Sequence, residues 1–290
     1  MMNKLFKAAT ISFAVVALVG CSDSATPVDG TKDASALTLE EVFNKSIERQ
    51  EALESASATI EMEQTISMNM FGQEMNISTS TNMDMDIIVE PMSFYVEGGM
   101  TMAMEGEEED FTMPLKMYLT ESDGFYMQDT MTYEEPTWLK LPNDAYEEIL
   151  EQTGAASDAS EQLLQLKPYL SDFKFEQNDS SYLLTLNAQG EKFNDLILSE
   201  AKKALGDDLA SEDIDLGNLQ LEKANYIITI DKKTFDVTKM ILDMDMIMEI
   251  EGSSSTIKTF TTIVYKDFNS IKEIKVPQDV IDSAVESDFY

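Results

Sequence analysis

Methionine supplies the most distinctive chemical pattern in this chain of 290 residues, which holds 20 of them. Ten of them fall in alternate-residue steps: Met68/Met70, Met83/Met85, Met100/Met102/Met104 and Met244/Met246/Met248. A thioether on an unbranched stem is polarisable and conformationally free. Such a set can fill an irregular core, line a surface that adapts to an acyl or apolar peptide ligand, or hold Cu(I) through sulfur. The residues alone leave all three open, although copper has no His and only one Cys to assist it. With no His, Ser-His-Asp and Cys-His catalysis and His-ligated zinc are excluded. With one Cys, so are an internal disulfide and a thiolate metal cage. The 55 Asp and Glu against 20 Lys and Arg give a net charge of −35, which repels phosphate backbones and argues against a nucleic-acid partner. Glu105-Gly106-Glu107-Glu108-Glu109-Asp110 reads as a solvated turn without the spacing of a Ca²⁺ loop. There is no phosphate-cradling Gly-rich loop and no G-x-S-x-G, and nothing singles out a carboxylate pair for glycoside hydrolysis. The expectation is a binding protein, not an enzyme, without cofactor or metal.

Cys21 is the residue with the clearest covalent fate. Lys4 and Lys7 precede an apolar run from Ala8 to Val19, broken only by Thr10 and Ser12. Twelve residues rise about 18 Å as a helix, too short for a bilayer core of roughly 30 Å, so the run reads as a secretory leader. It ends in Leu18-Val19-Gly20-Cys21, which resembles the lipobox of bacterial lipoproteins. That resemblance implies cleavage before Cys21, diacylation of its sulfur, and anchoring at the extracytoplasmic face of the cell membrane, since two acyl chains hold where one binds only marginally. Residues 1–20 are thus expected to be the signal peptide. Residues 21–36 are expected to be the lipidated Cys and a flexible tether, the fifteen small polar residues from Ser22 reaching at most about 50 Å. Residues 37–290 are expected to form a single domain.

The elements that position the methionines follow from periodicity. Thr38-Leu39-Glu40-Glu41 is a capping-box start for a helix running to about Ser55, with Leu39, Val42, Phe43, Ile47 and Leu53 on one stripe. The period then changes from 3.6 to 2. Ile60, Met62, Gln64, Ile66, Met68 and Met70 alternate with polar residues, then Met75 to Ile87 do so after a turn at Gly72. Phe94 to Met104 repeat the pattern across Gly98-Gly99, as do Phe111, Met113, Leu115, Met117 and Leu119. Such alternation means antiparallel strands with one buried and one wet face. The glycine pair suggests a bulge or bend, and Pro114 an edge position. Helices are expected over 143–152, 157–170 and 191–205. Strands are expected at 174–176 and 182–186, with an acidic irregular stretch over 206–220. Long strands return from Tyr226, turning at Lys232-Lys233 and near Gly252. Val276-Pro277-Gln278-Asp279-Val280 opens a short terminal helix.

This order of lipobox, capped helix, long strands, helical insert, long hairpin and V-P-x-x-V helix resembles the LolA/LppX–LprG-like lipoprotein superfamily. It looks closest to an uncharacterised Gram-positive lipoprotein family in which Ile230-Asp231-Lys232-Lys233-Thr234-Phe235 is typical. The resemblance implies an α+β fold, a strongly curved unclosed antiparallel β half-barrel with helices covering its concave face. It also implies an apolar cavity for a lipid or acyl chain. The alternating faces would supply its lining from Met68, Met70, Met83, Met85, Phe94, Met100, Met102, Met104, Phe111, Met117, Leu242, Met244, Met246 and Met248. A rival from another class is a regulatory or sensory envelope lipoprotein that binds a partner protein and carries no cargo.

Overall fold

The computed structural model describes residues 24–28, 30–70, 73–107, 109–132, 135–142, 159–193, 196, 219–250 and 253–287. The leader, Cys21, the turns at Gly72 and Gly252, the 143–152 helix, most of the 191–205 helix and the acidic stretch up to 218 lie outside the described residues. The described residues form three α-helices, α1 (Leu39–Glu51), α2 (Ala159–Leu166) and α3 (Gln278–Ser283). They also form thirteen strands. The first seven are β1 (Thr26–Pro27), β2 (Ser55–Met70), β3 (Gln73–Ile88), β4 (Ser93–Met104), β5 (Phe111–Thr120), β6 (Gly124–Asp129) and β7 (Thr137–Lys140). The rest are β8 (Phe173–Gln177), β9 (Ser181–Ala188), β10 (Leu219–Asp231), β11 (Val237–Ile250), β12 (Ser253–Lys266) and β13 (Val285–Glu286).

All thirteen join one unclosed sheet in the order β1-β8-β9-β10-β11-β12-β2-β3-β4-β5-β6-β7-β13. Every long pair is antiparallel, as the alternation requires; only the two-residue edge strands β1 and β13 pair in parallel, with β8 and β7. The sheet is built on two hairpin series, β2–β7 and β8–β12. They meet where β12 pairs with β2 over Ser57–Lys266 to Met68–Ser255. β2 and β3 each run 16 residues, about three times the usual length.

α1 starts where the capping box places it: Thr38 Oγ1 accepts from Glu41 N at 3.2 Å, and Thr38 N donates to Glu41 Oε2 at 2.8 Å. It ends at Glu51, so Leu53 belongs to the following loop. Val42, Phe43 and Ile47 are buried with Leu163 and Leu166 of α2 against Leu184, Leu186 and Ile228 of the sheet. The β10–β11 turn holds α1 in place. Within it the Asp231 carboxylate accepts from Lys233 N and Thr234 N at 2.8 and 2.9 Å. Phe235 takes a left-handed conformation with φ 62°, which re-aims the chain at α1. Ser46 Oγ donates to the Phe235 carbonyl at 2.9 Å, and Arg49 Nε meets Asp236 Oδ1 at 2.6 Å. Asp236 is buried, so this ion pair must stay closed to avoid an isolated charge in the interior.

Three expectations change. The 21–36 stretch is not a free tether from Ser24 onward. Ala25 is buried, β1 lies along β8, and the buried Gln177 amide donates to the Ala25 and Ser35 carbonyls at 2.7 and 3.1 Å. Asp179 accepts from Lys32 N and Asp33 N at 2.6 and 3.2 Å. The sequence hides this because the pinning groups lie some 145 positions downstream. Gly98-Gly99 is not a bulge either, because the β3–β4 ladder passes through it without a shift. A Cβ on Gly98 would lie 2.1 Å from the Asn82 carbonyl oxygen, so glycine serves a close strand approach; Gly99 has no neighbour nearer than 3.5 Å. Pro114 sits in a strand paired on both sides, but β6 reaches only Met117–Thr120 of β5. The proline therefore occupies a local edge where no ladder donor is needed.

Two outcomes are expected from these contacts. Gly98→Ala destabilises the fold by about 3 kcal/mol or more through overpacking, whereas Gly99→Ala stays within about 1 kcal/mol of the parent; urea unfolding of the two variants separates them. The Lys32 and Asp33 N–H groups hold the Asp179 carboxyl below its ordinary value of 3.8. Its contribution is therefore fully present above that value and disappears as pH falls through the lowered one. Amide shifts of residues 26–33, followed by NMR in acid, should report release of the segment, and Asp179→Asn should remove that step.

Candidate functional site

Residues directly opposite in an antiparallel ladder share a face, so the register maps the alternating residues onto the sheet. One line across it runs Tyr226, Leu242, Thr261, Met62, Thr81, Met100, Met113. The neighbouring line runs Ala224, Met244, Thr259, Gln64, Thr79, Met102, Phe111, and the next Leu221, Met246, Ile257, Ile66, Ile77, Met104. Met248, Ser255, Met68 and Met75 form the far line, and Met70 follows opposite Gln73, its side chain outside the described residues. On the other side lie Ile263, Ile60, Met83, Gly98, Leu115 and then Tyr265, Ala58, Met85, Val96, Met117, Met127. Phe94 belongs to the last line, with Ala56, Ile87, Leu119 and Phe125.

The register therefore brings every residue of the expected lining to one face. No Asp, Glu, Lys or Arg occupies a position on that face in β2–β5, β11 or β12. The acids are on the reverse: Glu61, Glu63, Asp84, Glu97, Asp243 and Asp245. Lys223 meets Asp243 there at 2.5 Å, and the Tyr95 hydroxyl donates to Glu97 at 2.5 Å. α3 also packs on the reverse, where Val276 and Val280 bury against Tyr126 with Tyr118 and Trp138 beside them.

Cover of the apolar face is uneven. Over β8–β12, α1 and α2 close it into the main core, and Met246 is buried there with Met244 and Leu242 packed alongside. Phe94 is buried in a second cluster with Met83, Met85 and Met117 beside it. Met68, Met100 and Met102 are half-buried. Met104 and Phe111, at the far end of β4 and β5, are 44% and 45% exposed. The methionines pair in twos across strands, Met68 with Met75, Met100 with Met113 and Met117 with Met127. A polar band crosses the middle of the face, where Gln64 Nε2 donates to Thr259 Oγ1 at 3.2 Å. Gln64, Thr79 and Thr81 reach this face by the alternation of β2 and β3, and Thr259 and Thr261 join them through the pairing of β12 with β2.

Two cavities open on this face. The smaller, about 100 Å³, lies between Gln162, Gln165 and Leu166 of α2 and the Met240, Leu242 and Ile263 side chains. The larger, about 290 Å³, lies at the end of α1 over β2 and β3, against Gln50, Leu53, Ala56, Ala58, Met85 and Ile87. It exists because Ala56 and Ala58 stand where the next lines of β2 carry Ile60 and Met62. Of the expected lining residues, Met85 meets the larger cavity and Leu242 the smaller. Sequence reasoning missed Gln50, Ala56, Ala58 and Tyr265; the two alanines continue the alternation of β2 but carry no weight in an apolar pattern. The Tyr265 hydroxyl donates to Met240 Sδ at 3.9 Å, and burial pushes its pKa up to about 12, so the site stays uncharged there.

Among solved structures, one titled for lipid–protein interactions in lipovitellin shares 7% identity and a TM-score of 0.30. It covers 77% of this chain but only 26% of its own, so this chain spans about a quarter of that protein. A β-barrel-like protein of the domain of unknown function DUF1849 from Brucella abortus aligns at 10% identity and TM-score 0.18, over 74% of this chain and all of its own. A DUF1329 family protein from Desulfovibrio piger aligns at 8% identity and TM-score 0.15, over 79% and 92% of the two chains. No curated protein matches. A family model described as "Family of unknown function (DUF6612)" matches residues 38–285, from the cap of α1 to β13, and the chain belongs to that family.

Proposed function

We propose that this protein is lipidated on Cys21, held at the extracytoplasmic face of the cell membrane, and binds a hydrophobic ligand, a lipid or acyl chain, non-covalently against the apolar face of its sheet. The observation that carries this reading is the register. It assembles an uncharged, methionine-rich face across β11, β12 and β2–β5, left partly open beside a cavity of about 290 Å³. In this reading the unclosed sheet is a LolA-like half-barrel, and α1 and α2 lie over its concave side. Burial drives binding: ten methylenes leaving water contribute about 8 kcal/mol, the scale of a micromolar Kd before ordering costs. Flexible thioethers let one surface accept chains of differing shape, and the charged reverse face keeps the carrier apart from anionic headgroups. No bond is made or broken, so no catalytic group is required.

Native mass spectrometry of the protein from Ser22 onward, purified from its own envelope and then extracted with organic solvent, is expected to reveal a lipid at near-unit stoichiometry. A bare mass that persists after incubation with envelope lipids would sink the carrier reading in favour of partner binding. For the anchor, radiolabelled palmitate should enter the full chain and leave it membrane-bound. Cys21→Ala should abolish both label and membrane association; a variant that stays at the membrane would refute the assignment.

A further inference from the structure

Gln50 is the anomaly of the larger cavity. It lies in the last turn of α1, is 92% buried on its 8% exposure, and its Nε2 has no hydrogen-bond partner among the described residues. Other hydroxyls at that cavity are engaged: Tyr265 donates to Met240 Sδ, Ser57 to Asp86 Oδ1, and Ser55 Oγ accepts from Ile271 N. An amide nitrogen can only donate, and a buried donor left unmade is costly enough that native interiors rarely keep one. Ala56, Ala58 and Ile87 beside it carry no acceptor, and Nε2 is bonded to neither Glu51 nor Ser160, which also line the cavity.

Resting on the carrier reading above, we infer that Gln50 is the polar anchor of this cavity and that the ligand presents it with an uncharged carbonyl, the ester or amide of an acyl lipid, in preference to the carboxylate of a free fatty acid. The preference follows from charge. No Lys or Arg lines the cavity, whereas Glu51 does, and the nearby Arg49 is committed to Asp236. A carboxylate would enter without a counter-ion and beside a like charge, whereas an ester carbonyl accepts the Nε2 proton and brings no charge to desolvate. The acyl chain then runs from the alanine-lined cavity along the methionine face.

The test is native mass spectrometry of the full chain released from mild detergent. It is offered equimolar monooleoylglycerol, oleate and octadecene at pH 7.5, and compared with Gln50→Leu and Gln50→Glu. Wild type should take the glycerol ester at least tenfold over oleate. Gln50→Leu should lose about threefold to tenfold for the ester while its octadecene binding holds. It should also melt no lower than wild type, because the orphan donor is gone. Gln50→Glu, which turns the donor into an acceptor, should lose the ester as well. Unchanged ester binding in both variants, or oleate binding as tightly as the ester in wild type, would overturn the anchor while leaving the carrier reading intact. Failure of wild type to hold any of the three, octadecene included, would overturn both.

Discussion

The pairing of β12 with β2 is the constraint on which the rest depends. It joins two hairpin series whose contacting residues are far apart in sequence: Gln64 reaches Thr259 across 195 positions. Closing such a loop costs about 5 kcal/mol of chain entropy, recovered only when the whole ladder forms. Its register also decides the character of both faces. A slip of one residue along β2 would turn Met62, Ile66 and Met68 to the charged side and bring Glu61 and Glu63 into the apolar one. The ladder is therefore at once the main long-range contact of the fold and the device that gathers the site. Its distance in sequence implies slow formation relative to the local hairpins.

Much of this was legible in the sequence, and its limits are physical. Alternation depends on the chain alone, so the faces of β2–β5, β11 and β12 could be read residue by residue. The Thr38/Glu41 cap and the Val276/Val280 helix are equally local. Pairing between remote strands leaves no trace in a single sequence, so the Thr259–Gln64 band and the seam between the two series could not be foreseen. Nor could the docking of residues 24–38, where Gln177 and Asp179 bind backbone groups of a segment with little to bury. Cavities are the least legible, because they arise from what is missing: Ala56 and Ala58 fit any strand, and only the neighbouring lines show that something larger was left out.

Separation of charge by face solves a problem common to broad open sheets. A wide apolar surface invites association with other copies, and unpaired sheet edges invite strand addition. Here the reverse face carries the carboxylates, and the edges end in strands of only two residues. The packing of α3 against Tyr118, Tyr126 and Trp138 braces the β7 edge. The molecule can thus keep methionines partly exposed on one side without offering a sticky edge or a neutral exterior.

The docking of the N-terminal segment changes the geometry of attachment. If Cys21 carries the acyl chains, only three peptide steps separate it from Ser24, which bridges to Thr38 at the start of α1, a leash of about 10 Å. A free tether would have allowed about five times that, with the domain tumbling at its end. On that condition so short a leash would set the molecule's orientation, with the β8 edge turned to the bilayer within about one screening length of the headgroups at physiological salt. A strongly acidic body held there is repelled by an anionic surface and pulled to it by its own anchor. Salt and lipid charge would then set the tilt of the domain, and with it how near the open end of the apolar face comes to the membrane.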